Sequence, residues 1–133
     1  MSLSFIASFA LLAHFALATP VEPTRQAESV VGVYYTTDKN WGNGHTTGDR
    51  YHDTIETLSC RHLAPPFVDS ISSFGPDSGV KCTVFDTPLC ISNGSSLEIW
   101  NEGYADMSWN GWDNRIRSFL CVTCIPDVDA GCR

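Results

Sequence analysis

Two stretches of this chain repeat one another, which restricts the fold to arrangements built from two copies of one unit. Val68-Asp69-Ser70-Ile71-Ser72-Ser73-Phe74 and Asp113-Asn114-Arg115-Ile116-Arg117-Ser118-Phe119 share the Ile, the second Ser and the Phe at matching places. Each follows an aromatic-led segment that runs into an Asn-Gly pair. Tyr35 precedes Asn43-Gly44, and Phe85 precedes Asn93-Gly94 at the same spacing. A unit this short cannot bury its apolar face alone, so the sequence predicts a paired fold.

The N-terminal residues address the compartment. Residues 1–18 contain no Asp, Glu, Lys or Arg, their centre is apolar from Phe5 to Leu17, and Ala16-Leu17-Ala18 ends them in a small-x-small pattern. That is the composition of a secretory signal peptide. A membrane anchor needs about 20 apolar residues, whereas this run is shorter and interrupted by Ser4, Ser8 and His14. Residues 19–29 hold Pro20, Glu22, Pro23, Arg25 and Gln26 without apolar periodicity, the pattern of a disordered leader. The folded body is expected over 30–124, as one domain, with a tail over 125–133. The expected location is secreted and extracellular.

All six cysteines (Cys60, Cys82, Cys90, Cys121, Cys124, Cys132) lie beyond the signal. An even count in an exported chain predicts three disulfides. Cys121-Val122-Thr123-Cys124 has CxxC spacing, but no second CxxC or ordered His pair follows to complete a zinc site. Six cysteines leave the pairing open. The favoured set joins Cys82 to Cys90 across a short hairpin, Cys60 to Cys121 between the last strands of the two repeats, and Cys124 to Cys132 in the tail.

The remaining pattern is all-β. Segments 30–36, 54–58, 81–85, 97–100 and 115–122 are short, rich in β-branched or aromatic residues, and separated by Gly, Pro, Asn and Asp clusters. In the last of them Ile116, Leu120 and Val122 share one parity and Arg115 and Arg117 the other, which predicts one buried and one wet face. Crossover helices have nowhere to fit, so the expectation is a two-sheet β-sandwich built from two Greek keys and stapled by disulfides.

These residues resemble the βγ-crystallin family, whose motif opens each Greek key with an aromatic, six residues and a Gly. It closes each key with two Asn/Asp, two variable residues, Ser/Thr and Ser. Tyr35-Thr36-Thr37-Asp38-Lys39-Asn40-Trp41-Gly42 satisfies the opening, and residues 113–118 satisfy the closing except at Arg117. The first closing segment keeps Asp69, Ser72 and Ser73 but has Val68 in the leading acidic place, and the second opening has Phe85 but Ser92 where Gly is expected. The chain also resembles small secreted βγ-crystallin-like proteins of filamentous fungi, which carry a run like Ile71 to Asp77 before a strand like Cys82 to Phe85. The resemblance implies closing segments that exchange Ca²⁺ ligands between repeats. It implies a metal set of Asp69, Ser70, Ser72, Asp113 and Asn114. Hard oxygens of this kind suit Ca²⁺. Arg117 places a fixed cation where the other site needs a hydroxyl, so no cofactor is required and at most one weak Ca²⁺ is expected. The alternative is that these serines only satisfy backbone groups in a tight corner.

Enzyme motifs are absent from the sequence. His45, His52 and His62 have no HExxH spacing, and no Ser sits in a Gly-x-Ser-x-Gly elbow. A formal charge of −7 lacks the basic stripe that nucleic acid requires and does not favour attraction to anionic lipid. No nucleic acid and no membrane insertion are expected. Met107-Ser108-Trp109-Asn110-Gly111-Trp112 reads as a loop carrying two indoles, so Trp109 and Trp112 are candidates for binding an extracellular protein or glycan. Burial of Trp41 and Trp112 at the ends of the sandwich is the competing possibility. Asn93-Gly94-Ser95 is an N-glycosylation sequon at an expected hairpin turn. The first functional class is a monomeric, non-enzymatic secreted module acting as an effector, a toxin-like protein, or an antimicrobial or inhibitory protein. The second is a calcium-stabilised structural or lectin-like domain.

Overall fold

The computed structural model describes residues 16, 29–42 and 48–133. The signal reading and all but the last residue of the leader reading therefore lie outside the described residues, except for Ala16, as do Asn43-Gly44 and His45. Seven strands are described, with no α-helix among the described residues. They are β1 (Val30–Thr36), β2 (Arg50–Glu56), β3 (Arg61–His62), β4 (Ser73–Pro76), β5 (Val80–Phe85), β6 (Ser96–Trp100) and β7 (Ser118–Thr123). They form two antiparallel sheets, ordered β2-β1-β4 and β3-β7-β5-β6.

The two halves of the chain interleave. β3 leaves the half that contains β1, β2 and β4 and pairs with β7, Arg61 facing Phe119 and His62 facing Ser118. In return, the segment after β6 comes back to β4 through a bridge between Phe74 and Tyr104. Neither half can complete its sheet without the other, as a sequence repeat of this length requires.

Period-two burial explains why these segments are strands. Val31, Val33 and Tyr35 of β1, Asp53 and Ile55 of β2, and Cys82 and Val84 of β5 face inward, and Thr54, Glu56, Lys81 and Thr83 stand between them with more exposure. β7 departs from the parity expected for it. Phe119 and Cys121 are fully buried, and Leu120 and Val122 only half so. Ile116 is fully buried too, but it precedes the strand, and Asn114 just before it takes φ 57°. The irregular backbone resets the phase, so parity cannot be counted through it. Tyr35 and Phe74 from one sheet meet Phe119 from the other, with ring centroids 5.2–6.0 Å apart, in one continuous core.

Three disulfides are present. Cys124–Cys132 closes the tail as expected. The other two pairings differ from the expected set: Cys82 joins Cys121, and Cys60 joins Cys90. The hairpin from β5 pairs with β6 rather than with the turn that holds Cys90, and Cys82 lies opposite Cys121 in the β5–β7 register. Cys90 is held near the start of β7, where its N–H donates to Ser118 Oγ at 2.8 Å, and β3 brings Cys60 to the same place.

A charged clamp also links the sheets. Asp53 of β2, only 4% exposed, accepts from Arg61 of β3 at 2.8 Å (Nε) and 3.0 Å (Nη2). The Tyr35 hydroxyl donates to the same carboxylate at 3.5 Å. Burial, and then the Asp53 charge, push the Tyr35 phenol far above its ordinary value. The neutral phenol is favoured in the fold, so its contribution to stability is complete below the unfolded pKa near 10 and is lost as pH rises beyond it. Denaturant midpoints are expected to hold steady up to about pH 9 and to fall above about pH 10, with Tyr35→Phe flattening that fall. An equally steep alkaline fall in Tyr35→Phe would remove Tyr35 as its cause.

Candidate functional site

The repeated segments form two matching corners where the halves cross. Asp69 N–H donates to Ile116 O at 3.0 Å, and Asn114 N–H donates to Ile71 O at 3.1 Å. Leu63 N–H reaches Arg117 O at 3.0 Å, and Met107 N–H reaches Ser72 O at 2.9 Å. Asp69 and Asn114 both take left-handed backbone, φ 55° and 57°, a conformation that short polar side chains tolerate best after glycine. The Ser shared by the two repeats also has a structural reason. Ser73 Oγ lies 2.6 Å from Asp38 O and 2.7 Å from Ala105 O and accepts from Trp41 N–H, while Ser118 Oγ donates to Thr87 O at 2.6 Å and accepts from Cys90 N–H. Each fully buried hydroxyl ties a closing segment to the fold of the opening segment.

The residues assigned to a metal divide between the corners. Asp69 is held by Arg117, whose Nε lies 2.9 and 3.2 Å from the two carboxylate oxygens. That hydrogen bond and charge raise the Arg117 pKa above its ordinary value. A fixed guanidinium therefore occupies the carboxylate a divalent cation would need, and this corner does not fit Ca²⁺. The other corner adjoins Ser70, Ser72, Asp113 and Asn114. Ser70 Oγ donates to Val68 O, Ser72 is buried, and Asn114 Nδ2 reaches Asp113 Oδ2 at 3.4 Å. Asp113 Oδ1 is buried without a partner among the described residues. These are oxygen donors of the kind Ca²⁺ takes, but only one of them is a carboxylate. Among the described residues no three His, Cys, Asp or Glu side chains gather into a ligand cluster.

The loop indoles separate. Trp112 is 5% exposed and belongs to the core, with the Arg115 guanidinium 4.7 Å from its ring centroid. Its assignment to partner binding is therefore corrected: an indole packed into the core presents little surface to a partner. Trp109 is 68% exposed. It sits on a 3-10 turn, Met107–Asn110, whose N-cap Asp106 accepts from Ser108 N–H at 2.9 Å and whose C-cap Gly111 takes φ 76°. The Ser108 hydrogen bonds, aided by Lys39, hold the Asp106 carboxyl below its ordinary range. Buried Met107 anchors one side of the turn, so Trp109 is presented on a fixed support. Asn93 is exposed in the turn between β5 and β6, a position open to a glycan.

Two depressions meet at Trp100, at the end of β6, one of the four tryptophans in Gly- and Asn-rich surroundings but not one chosen from sequence as a binding candidate. The sequence signal was an indole closing a strand before Asn101-Glu102-Gly103. His52 faces Asp77 at 3.4 Å and His62 faces Pro88 O. Compared with known proteins, the chain matches no family model, no curated protein and no solved structure. Among the described residues no helix is long and apolar enough to cross a membrane.

Proposed function

We propose that this chain is a secreted, non-enzymatic, βγ-crystallin-like binding module that docks an extracellular protein on Trp109. The observation that carries the reading is an indole left 68% exposed on a capped turn whose neighbours, Met107 and Trp112, are buried. Rigid aromatic anchors of this kind dominate binding energy at protein interfaces. Three disulfides in so small a fold suit an oxidising, extracellular setting. The exchange of β3 and the Tyr104 segment between halves supports a pair of Greek keys.

The calcium-stabilised reading is weaker, because the Arg117–Asp69 pair already supplies a cation to one corner. Trp109→Ala is expected to leave the melting temperature unchanged and to weaken capture of the partner from an extracellular protein fraction by at least about tenfold. Equal capture by both proteins would rule out Trp109 as the docking residue.

A further inference from the structure

We propose a second site, independent of Trp109: an open groove centred on Trp100 that binds a neutral oligosaccharide. One depression, of about 330 Å³, is lined by Trp100, Asn101, Glu102, Tyr104 and Arg133. The other, of about 500 Å³, is lined by Lys81, Glu98, Trp100, Thr123 and Asp129. Both volumes fall within the range of small-molecule sites. Trp100 is common to both, so a ligand spanning them passes the indole.

The groove is built rather than incidental. Its far wall is the tail, closed by Cys124–Cys132 and fastened to the turn before β5 by Gly79 N–H to Arg133 O at 3.0 Å and Cys124 N–H to Gly79 O at 2.8 Å. Gly131 lies so close to the indole that a Cβ there would stand 3.1–3.4 Å from its ring atoms, which brings the wall against Trp100 without filling the groove. Asn101 Nδ2 donates to Pro76 O at 3.0 Å, which fixes the amide and leaves its oxygen as an acceptor. Tyr104 is held by its backbone exchange with Phe74.

The chemistry of the lining selects the ligand. Lys81 pairs with Glu98 at 3.0 Å, and Arg133 and Glu102 both line the first depression, so neither sign of charge dominates. Asp129 is committed to the tail through Ile125 N–H at 2.7 Å. An anionic ligand would meet no net positive charge, and the apolar wall, made by Trp100, Val122 and Ala130, is interleaved with polar groups rather than continuous. A sugar chain offers what the groove lacks. Its C–H faces suit the indole and phenol rings, and its hydroxyls suit the carboxylates, the Asn101 oxygen and the guanidinium.

The test is titration of the oxidised, secreted protein with chitotetraose, cellotetraose and xylotetraose, followed by calorimetry and indole fluorescence. At least one is expected to bind, and Trp100→Ala is expected to lower that affinity about tenfold or more. Because loss of Trp100 also removes packing against Gly131, Glu98→Gln is the second variant. Glu98 is exposed, so the melting temperature should hold while affinity drops about threefold to tenfold. Trp109→Ala should bind the sugar as the wild type does. The proposal is overturned if none of the three sugars binds at about 10 mM, if neither Trp100→Ala nor Glu98→Gln changes the affinity, or if only Trp109→Ala abolishes it. Failure at Trp109 in protein docking would leave this test untouched, so the two sites stand or fall separately.

Discussion

Replacing Cys82 and Cys121 together by alanine is expected to lower stability by more than about 4 kcal/mol, which is the chain-entropy value alone for a loop closed over a sequence separation of 39. The bridge links neighbouring strands β5 and β7, and both sulfurs lie in the interior, each residue 0% exposed. Alanine there removes the cross-link and also leaves the volume of the sulfurs unfilled among packed side chains. Cys60–Cys90 closes a similar separation of 30, but Cys60 is exposed, so the corresponding double variant should lose only the loop contribution. Reductant should likewise open Cys60–Cys90 before Cys82–Cys121, because attack needs access to a sulfur. Denaturant melts of the two variants, with mass analysis of non-reduced digests, check both points. A digest linking Cys82 to Cys90 would overturn the pairing, and equal losses from both double variants would show that burial of the bridge adds nothing.

That pairing marks where the sequence stopped being legible. β1 was read over the residues it occupies, and β5 and β6 to within one residue, because each is a short run rich in β-branched and aromatic residues bounded by turn-forming ones. β3 has two residues and no period to detect. β4 contains Gly75 and Pro76, which argue against a strand in sequence. In the structure Gly75 is needed because a Cβ there would come 2.6 Å from Glu102 O and 2.8 Å from Trp41 Cη2. The returning segment of the other half passes over it.

The site was legible in part. The repeat located both corners, but the pairing of Arg117 with Asp69 could not be read from sequence because the two are 48 residues apart. Trp109 and Trp112 look alike in a string of residues. Only the turn at 107–110, set by its caps, decides which indole faces water. The Trp100 groove depends on a tail folded back by its own disulfide, a contact that no local pattern encodes.

Phe119→Ala is expected to cost about 3–5 kcal/mol, as truncation of a buried phenylalanine does. The residue is 0% exposed on β7, a central strand flanked by β3 and β5. Its ring meets Phe74 at 5.2 Å and Tyr35 at 5.7 Å, both near edge-to-face, and those two rings belong to the opposite sheet. Tyr35 in turn meets Phe67 edge-on at 5.0 Å, so the cavity would open beneath the loop that leads into the first closing segment. A domain of this size is stabilised by only about 5–15 kcal/mol in total, and the loss translates into a fall in melting temperature of roughly 10–30 °C. Phe119→Leu, which keeps most of the volume, should recover more than half of that. Both numbers come from thermal melts of the oxidised protein followed by near-ultraviolet circular dichroism. A fall of less than about 5 °C in Phe119→Ala would mean that the two sheets are joined by the disulfides and the crossing segments rather than by this aromatic cluster. In that case the Asp53–Arg61 clamp, which bridges the same two sheets at 2.8 Å, becomes the contact to remove next.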